Sequence, residues 1–374
     1  MRNTLLNVNI RHIQQGCYNS ALLFFLDKEV PAMARKTFMD SITSPELLSQ
    51  VNPENKQLKL DFLDYLKSMK RSPGTISGYS NDLDIFFVWV LQNANNKLFT
   101  DITKRELVRF QNWLTVDHQN SPARVRRIKS SLSSMSNYIE NILDTEDEFK
   151  NFRSIVRKIE SPALQPVREK TVLDDDQVEN LLNILTEKKQ YDKACAVALA
   201  MFSGRRKAEI VRFKVSDFSE DKIVCDGALY KSSPIQTKGR SGGKFIPCYV
   251  LKRDFQPYLD NWMKYREENG IESEWLFPDK SNPKEQLKIS TLNSWTRAFS
   301  KMLNVDWYWH LCRHRWTTYL VRAGLPDSVI AEIVGWSDVS LVATYTDIEA
   351  EERIGMYFGD GGIKKQEAKS LSDI

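Results

Sequence analysis

Apolar residues recur at helical spacing through most of the chain, interrupted by one stretch where the period drops to two. Leu58, Phe62, Tyr65, Leu66 and Met69 form a first stripe. Ser72-Pro73 opens a second helix that turns Ile76, Tyr79, Leu83, Phe86, Phe87 and Val90 inward. Thr103 stands three residues before Glu106, the form of a capping box, and leads into Leu107, Phe110 and Leu114. A fourth helix from about Pro122 buries Val125, Ile128, Leu132, Met135 and Ile139. Four such helices predict a compact all-α unit over 56–160. Residues 1–55 hold an apolar cluster from Ala21 to Leu26 and short helices, but no motif.

Pro162 and Pro166, set among mixed charges, predict an extended linker over 161–171. Asp174, Asp175 and Asp176 then place acids at the positive end of a new helix. Helical spacing continues to Ala200. Strand character lies between Lys222 and Val250: first Ile223-Val224-Cys225, then a hairpin whose arms are 235–238 and 245–247 around the turn Gly239 to Gly243. Helices resume near Phe255. The pattern predicts a mainly α, two-domain chain, with an α+β second domain over 172–350 and a tail over 351–374.

A length of 374 residues exceeds one typical core, and 41% hydrophobic content suffices for two. A net charge of +4 leans basic without demanding a nucleic-acid partner. Five scattered cysteines (Cys17, Cys195, Cys225, Cys248, Cys312) suit free thiols in a reducing compartment. No apolar stretch reaches bilayer length, so no membrane association and a cytoplasmic location are expected.

Several residues carry candidate chemistry. Arg206 follows Gly204 and precedes Glu209 by three, so a planar, always-charged fork has a carboxylate one turn away to hold it. Arg205 is a rival for the same role. Lys238, on the hairpin, can reach a leaving oxygen and protonate it; Lys231 and Lys244 are its rivals. His310 and Arg313 share a helical face. His310, Cys312 and His314 are zinc-ligand types, but alternate helical residues point apart and no second ligand cluster exists. Trp336 follows Gly335. Its indole either packs a core or positions an anion through its one N–H, and it cannot move a proton. Tyr345 is one of 13 tyrosines. Its hydroxyl attacks well only where cations stabilise the phenolate.

These elements in this order resemble the tyrosine recombinases, or phage integrase family, over residues 56–350. In that family an arginine stands in a Gly-x-Arg-x-x-Glu context, here Gly204, Arg206 and Glu209. The hairpin lysine corresponds to Lys238, and the His-x-x-Arg pair to His310 and Arg313. The second histidine position is held by Trp336, as in Cre-type members, and the nucleophile falls on Tyr345. Two departures stand out: Arg205 replaces the usual apolar residue, and Ala208 replaces a common serine. Thr75, Tyr79, Leu83, Phe86 and Trp89 look like the family's SAM-like core DNA-binding domain, as does the basic run Arg124, Arg126, Arg127 and Lys129. That run reads otherwise as a solvated helix face.

The resemblance implies a C-shaped clamp on double-stranded DNA with inverted-repeat sites. It implies cleavage and rejoining through a 3′-phosphotyrosine, without ATP, metal or cofactor. Arg206 and Arg313 would hold the scissile phosphate, His310 would assist the tyrosine proton, and Lys238 would protonate the departing 5′ oxygen. A homotetramer on paired sites is implied, with the tail (Ile354, Met356, Tyr357, Phe358) docked on a neighbouring protomer, in a nucleoid-associated protein. Type IB topoisomerase chemistry and a catalytically silent DNA-binding regulator on the same fold are the alternatives.

Overall fold

The computed structural model describes residues 42–163, 173–237, 243–346, 348 and 355, together with the backbone of 358–359 and 362–363. Residues 1–41, most of the expected linker, Lys238 and nearly all of the tail lie outside the described residues, as do the side chains of Ile354, Met356, Tyr357 and Phe358.

Helix starts in the N-terminal unit share one device. Four times a capping side chain is followed at once by proline: Ser44 before α1 (Pro45–Gln50), Asn52 before α2 (Pro53–Ser68), Ser72 before α3 (Pro73–Asn93) and Ser121 before α5 (Pro122–Ile142). The cap oxygen accepts from an otherwise orphaned N–H, and proline needs no partner there. Between them α4 (Lys104–Asn112) carries the capping box of Thr103 and Glu106 and runs on into a single π-turn over Trp113–Asp117. The helices bury an aromatic core in which Phe86 meets Phe87, Trp89, Phe99 and Phe110 at 4.9–6.3 Å between ring centres. Ile42 and Val51 belong to this core, so burial begins upstream of the boundary expected at residue 56.

A second core gathers around α7 (Tyr191–Met201), whose residues from Cys195 to Met201 are all fully buried. It is flanked by α6 (Asp175–Glu187), opened by a capping box of Asp174 and Gln177, and by α9 (Lys252–Glu268), α10 (Ile289–Leu303) and α11 (His310–Arg322). The short α8 (Lys207–Ile210) precedes an antiparallel three-stranded sheet: β1 (Ile223–Val224), β2 (Leu229–Lys231) and β5 (Tyr249–Leu251), in the order β1-β2-β5. Inserted between β2 and β5 is a hairpin, β3 (Ile235–Thr237) on β4 (Lys244–Ile246), registered Ile235 to Ile246 and Thr237 to Lys244. The hairpin arms fall where the alternation puts them; β2 and β5 add pairing that it did not single out. A third cluster joins Leu229 and Leu251 to Trp316, Ile330, Val334, Trp336 and Val342, seating α12 (Asp327–Val334) and α13 (Leu341–Tyr345) beside the sheet. Near the end, β6 (Phe358–Gly359) pairs with β7 (Gly362–Ile363).

Cys195, Cys248 and Cys312 are buried free thiols and Cys225 is an exposed one; Cys17 lies outside the described residues. Burial pushes the Cys312 thiol up to about 12. No helix of the described residues is long and apolar enough to cross a membrane.

Candidate active site

The site starts at a turn that only glycine can make. Gly204 adopts φ +61°, and a Cβ there would lie 2.4 Å from Cδ1 of Trp316 on α11. The turn sends the next two arginines to different surroundings. Arg205 is 1% exposed and donates to the carbonyl oxygens of Ile333 (2.5 Å) and Val334 (3.4 Å) at the end of α12. Arg206 is the N-cap of α8, and its side chain keeps 32% exposure. Buried Glu209 holds it twice: Oε1 accepts from Nη1 at 3.0 Å, and Oε2 accepts from the Arg206 backbone N–H at 3.2 Å. The two arginines thus differ in reach: Arg206 is partly exposed to solvent and Arg205 is not.

Arg313 on α11 is fully buried. It donates through Nη1 to Gly204 O (3.1 Å) and through Nη2 to Val334 O (3.3 Å). Its guanidinium carbon lies 4.8 Å over the Trp336 ring and 5.8 Å from the Tyr345 ring, both cation–π distances. Burial first, then the charge of Arg206, push its pKa down to about 9, which leaves it cationic at neutral pH. Arg313 Nε and Trp336 Nε1 are buried donors with no hydrogen-bond partner among the described residues. With the Arg206 charge close enough to depress the Arg313 pKa, unspent donors of this kind suit an anion.

Tyr345 ends α13 and, besides Arg313, meets three aromatic or imidazole rings. Its hydroxyl lies 2.8 Å from His310 Nε2. The His314 ring stacks on it at 4.7 Å and 27°, and Trp336 lies 4.8 Å away at 42°. The Thr346 hydroxyl donates to Val342 O at 2.7 Å and closes the helix end. Burial, then the positive neighbours His314, Arg313 and Arg206, lower the His310 pKa to about 4. The imidazole is therefore neutral at pH 7, with Nε2 within hydrogen-bond reach of the phenol. The electrostatics suit the phenol as well, because a nascent phenolate would face Arg313.

His314 is the residue that sequence reasoning passed over. It entered only as a possible metal ligand, yet it is four residues after His310 and so shares its helical face. The two rings meet edge to face at 5.6 Å.

Lys238 lies outside the described residues, but its neighbours on both arms are described. Thr237 Oγ1 donates to Lys244 O at 2.9 Å, and Ile246 at the foot of the hairpin packs so tightly on Gly335 that a Cβ there would sit 2.3 Å from Ile246 Cδ1. The hairpin's base is therefore anchored at the site. Of the rival lysines, Lys231 lies 5.9 Å from the Tyr249 ring and Lys244 is exposed.

The basic run on α5 does more than face solvent. Arg124 Nη1 binds Asp82 Oδ1 at 2.5 Å, and Arg127 Nε approaches Oδ2 of the same fully buried carboxylate at 3.6 Å. Ser131 donates to Asp82 Oδ2 at 2.7 Å. Arg126 Nε donates to Pro162 O at 2.9 Å, and Lys129 Nζ to Ile159 O at 2.5 Å. Burial lowers the Lys129 pKa. Two members of the run thus tie α5 to the segment that leaves this unit.

Comparison with known proteins follows the same division of the chain. The model of the Phage integrase family matches residues 171–352, and that of the Phage integrase, N-terminal SAM-like domain, matches residues 58–146. The SPbeta prophage-derived recombinase-like protein YomM of Bacillus subtilis (strain 168) is 29% identical over 230 residues, covering 61% of this chain and 66% of that protein. The tyrosine recombinase XerC of Caldanaerobacter subterraneus subsp. tengcongensis is 23% identical over 337 residues, covering 84% of this chain and 86% of its own. In fold, the chain is similar to the XerH site-specific recombinase bound to palindromic difH substrate, with a TM-score of 0.60 at 17% identity over 82% of this chain and 89% of that one. It is likewise similar to a lambda integrase (75-356) dimer bound to a COC′ core site, with a TM-score of 0.56 at 16% identity over 84% and 99%. Matched in both of its units, this chain belongs to the tyrosine recombinase, or phage integrase, family.

Proposed function

We propose that this protein is a site-specific DNA recombinase that cleaves and rejoins strands through a 3′-phosphotyrosine at Tyr345. The observation that carries the reading is the 2.8 Å contact between Tyr345 Oη and a neutral His310 Nε2, beside the buried Arg313. Arg206 and Arg313 grip the non-bridging oxygens of the scissile phosphate. The Tyr345 oxygen attacks phosphorus as its proton passes to His310. The bond to the 5′ oxygen breaks, and Lys238 protonates that oxygen as it leaves. The ester keeps the bond energy, so a 5′ hydroxyl from a partner strand reverses the step. Trp336 fills the second histidine position in the Cre manner. It offers the phosphate an N–H and packs Tyr345, and it moves no proton.

The SAM-like unit over 56–160 and the catalytic unit over 172–350 close on one duplex through the 161–171 linker. Inverted repeats, a homotetramer on paired sites, docking of the 351–374 tail on a neighbour and a nucleoid location complete the reading. A nicked suicide duplex carrying a binding site mapped by footprinting the protein on DNA flanking its gene tests it. The expected result is a denaturant-resistant protein–DNA adduct with the parent and none with Tyr345→Phe. Adduct from Tyr345→Phe refutes the assignment. Binding without adduct points to a silent regulator, and relaxation of a plasmid lacking any site points to a topoisomerase.

A further inference from the structure

Arg205 does not touch solvent, so it cannot grip DNA itself, yet it bridges the Gly204–Arg206 turn and the end of α12. The last four carbonyls of a helix have no partner within it. At the end of α12, those of Ala331 and Glu332 are met by the N–H groups of Gly335 and Trp336. Those of Ile333 and Val334 are met by side chains instead. Arg205 Nη2 donates to Ile333 O at 2.5 Å and Nη1 to Val334 O at 3.4 Å, and Arg313 Nη2 shares Val334 O at 3.3 Å. Gly335 then turns at φ +78°, where a Cβ would come within 3.1 Å of Arg205 Nη1. The turn delivers Trp336 onto Arg313 and Tyr345. No acidic side chain among the described residues forms an ion pair with Arg205, and Glu209 is committed to Arg206. The negative end of α12 is what balances this buried charge.

We propose that Arg205 is a positioning residue. Its fork locks the end of α12 to the Gly204–Arg206 turn and so sets Trp336 against Arg313 and Tyr345. An apolar side chain at this place would have no such reach. The inference rests on the recombinase reading above and deepens it.

The test is a double-mutant cycle on the full-length protein, read as the single-turnover rate of adduct formation at saturating suicide duplex. Arg205→Met removes the fork while keeping length and burial. The expected loss is roughly 10- to 100-fold, as for a displaced catalytic group, with duplex affinity held within about threefold. In a Trp336→Ala background the same change costs at most about threefold, because the group it positions is gone. A rate within about twofold of the parent, or losses that multiply across the cycle, overturns the inference. Should Arg205→Met fail to fold, as circular dichroism reports, Arg205→Lys replaces it. An ammonium keeps the charge but cannot fork across two carbonyls, and a loss of about 3- to 10-fold that vanishes without Trp336 is expected. An unchanged Arg205→Lys rate overturns the inference. A parent protein that forms no adduct sinks the recombinase reading first and this inference with it.

Discussion

Tyr345 shows how little a single residue type says and how much its surroundings do. Twelve other tyrosines share its composition, and only the spacing from His310, Arg313 and Trp336 singled it out. That spacing was legible because all three partners lie on or just past two consecutive helices. His314 was legible only as a helical neighbour of His310. Its stacking on Tyr345 depends on where α13 ends, which periodicity does not reveal. If the stack orients the phenol, His314→Ala slows adduct formation roughly 10-fold, whereas His314→Phe stays within about threefold. Equal rates for both variants and the parent would remove His314 from the site. His310 carries a pH signature as well. Its pKa in the folded protein is about 4, against 6.5 for the free side chain, so the unfolded chain binds the extra proton in that window. Stability from this group is fully present above pH 6.5 and falls as pH drops toward 4. An NMR titration of the His310 ring in the DNA-free protein is expected to show a midpoint well below 6.5. A midpoint at or above that value contradicts the buried, cation-flanked setting.

Helices and strands differ in how openly they declare themselves. The starts at Ser72-Pro73, Thr103, Pro122 and Asp174 were readable because capping chemistry is local: a side-chain oxygen, a proline and a glutamate or glutamine act within one turn. The three-residue strands β2 and β5 were not, since nothing local distinguishes them; their pairing is a contact between distant segments. The same holds for the network under α5. Asp82 reads as one more polar residue on α3, and its burial between Arg124, Arg127 and Ser131 exists only once α3 and α5 pack. Asp82→Ala leaves a half-buried Arg124 and the Ser131 hydroxyl without their acceptor and is expected to cost about 1–3 kcal/mol in urea unfolding. A loss under about 1 kcal/mol would mean that the pair is solvated and carries no structural weight.

For the whole molecule, the charge on DNA meets a protein whose net charge is only +4, so affinity depends on where the cations are held. Arg127, 56% exposed beside Asp82, has reach left for a phosphate, while Arg124 is 23% exposed and tightly paired. Arg127→Ala is expected to lower the slope of log affinity against log salt by about one phosphate contact with little change in stability. Arg124→Ala is expected to lower stability first. The opposite assignment of the two effects would turn α5 away from the duplex. The recombinase reading itself rests on a covalent bond at one oxygen. The direct measurement is mass spectrometry of the peptide isolated from the trapped protein–DNA adduct after nuclease digestion. A nucleotide mass on Tyr345, joined through the 3′ phosphate, is the expected result. A nucleotide on any other residue, or an adduct joined through a 5′ phosphate, contradicts the mechanism.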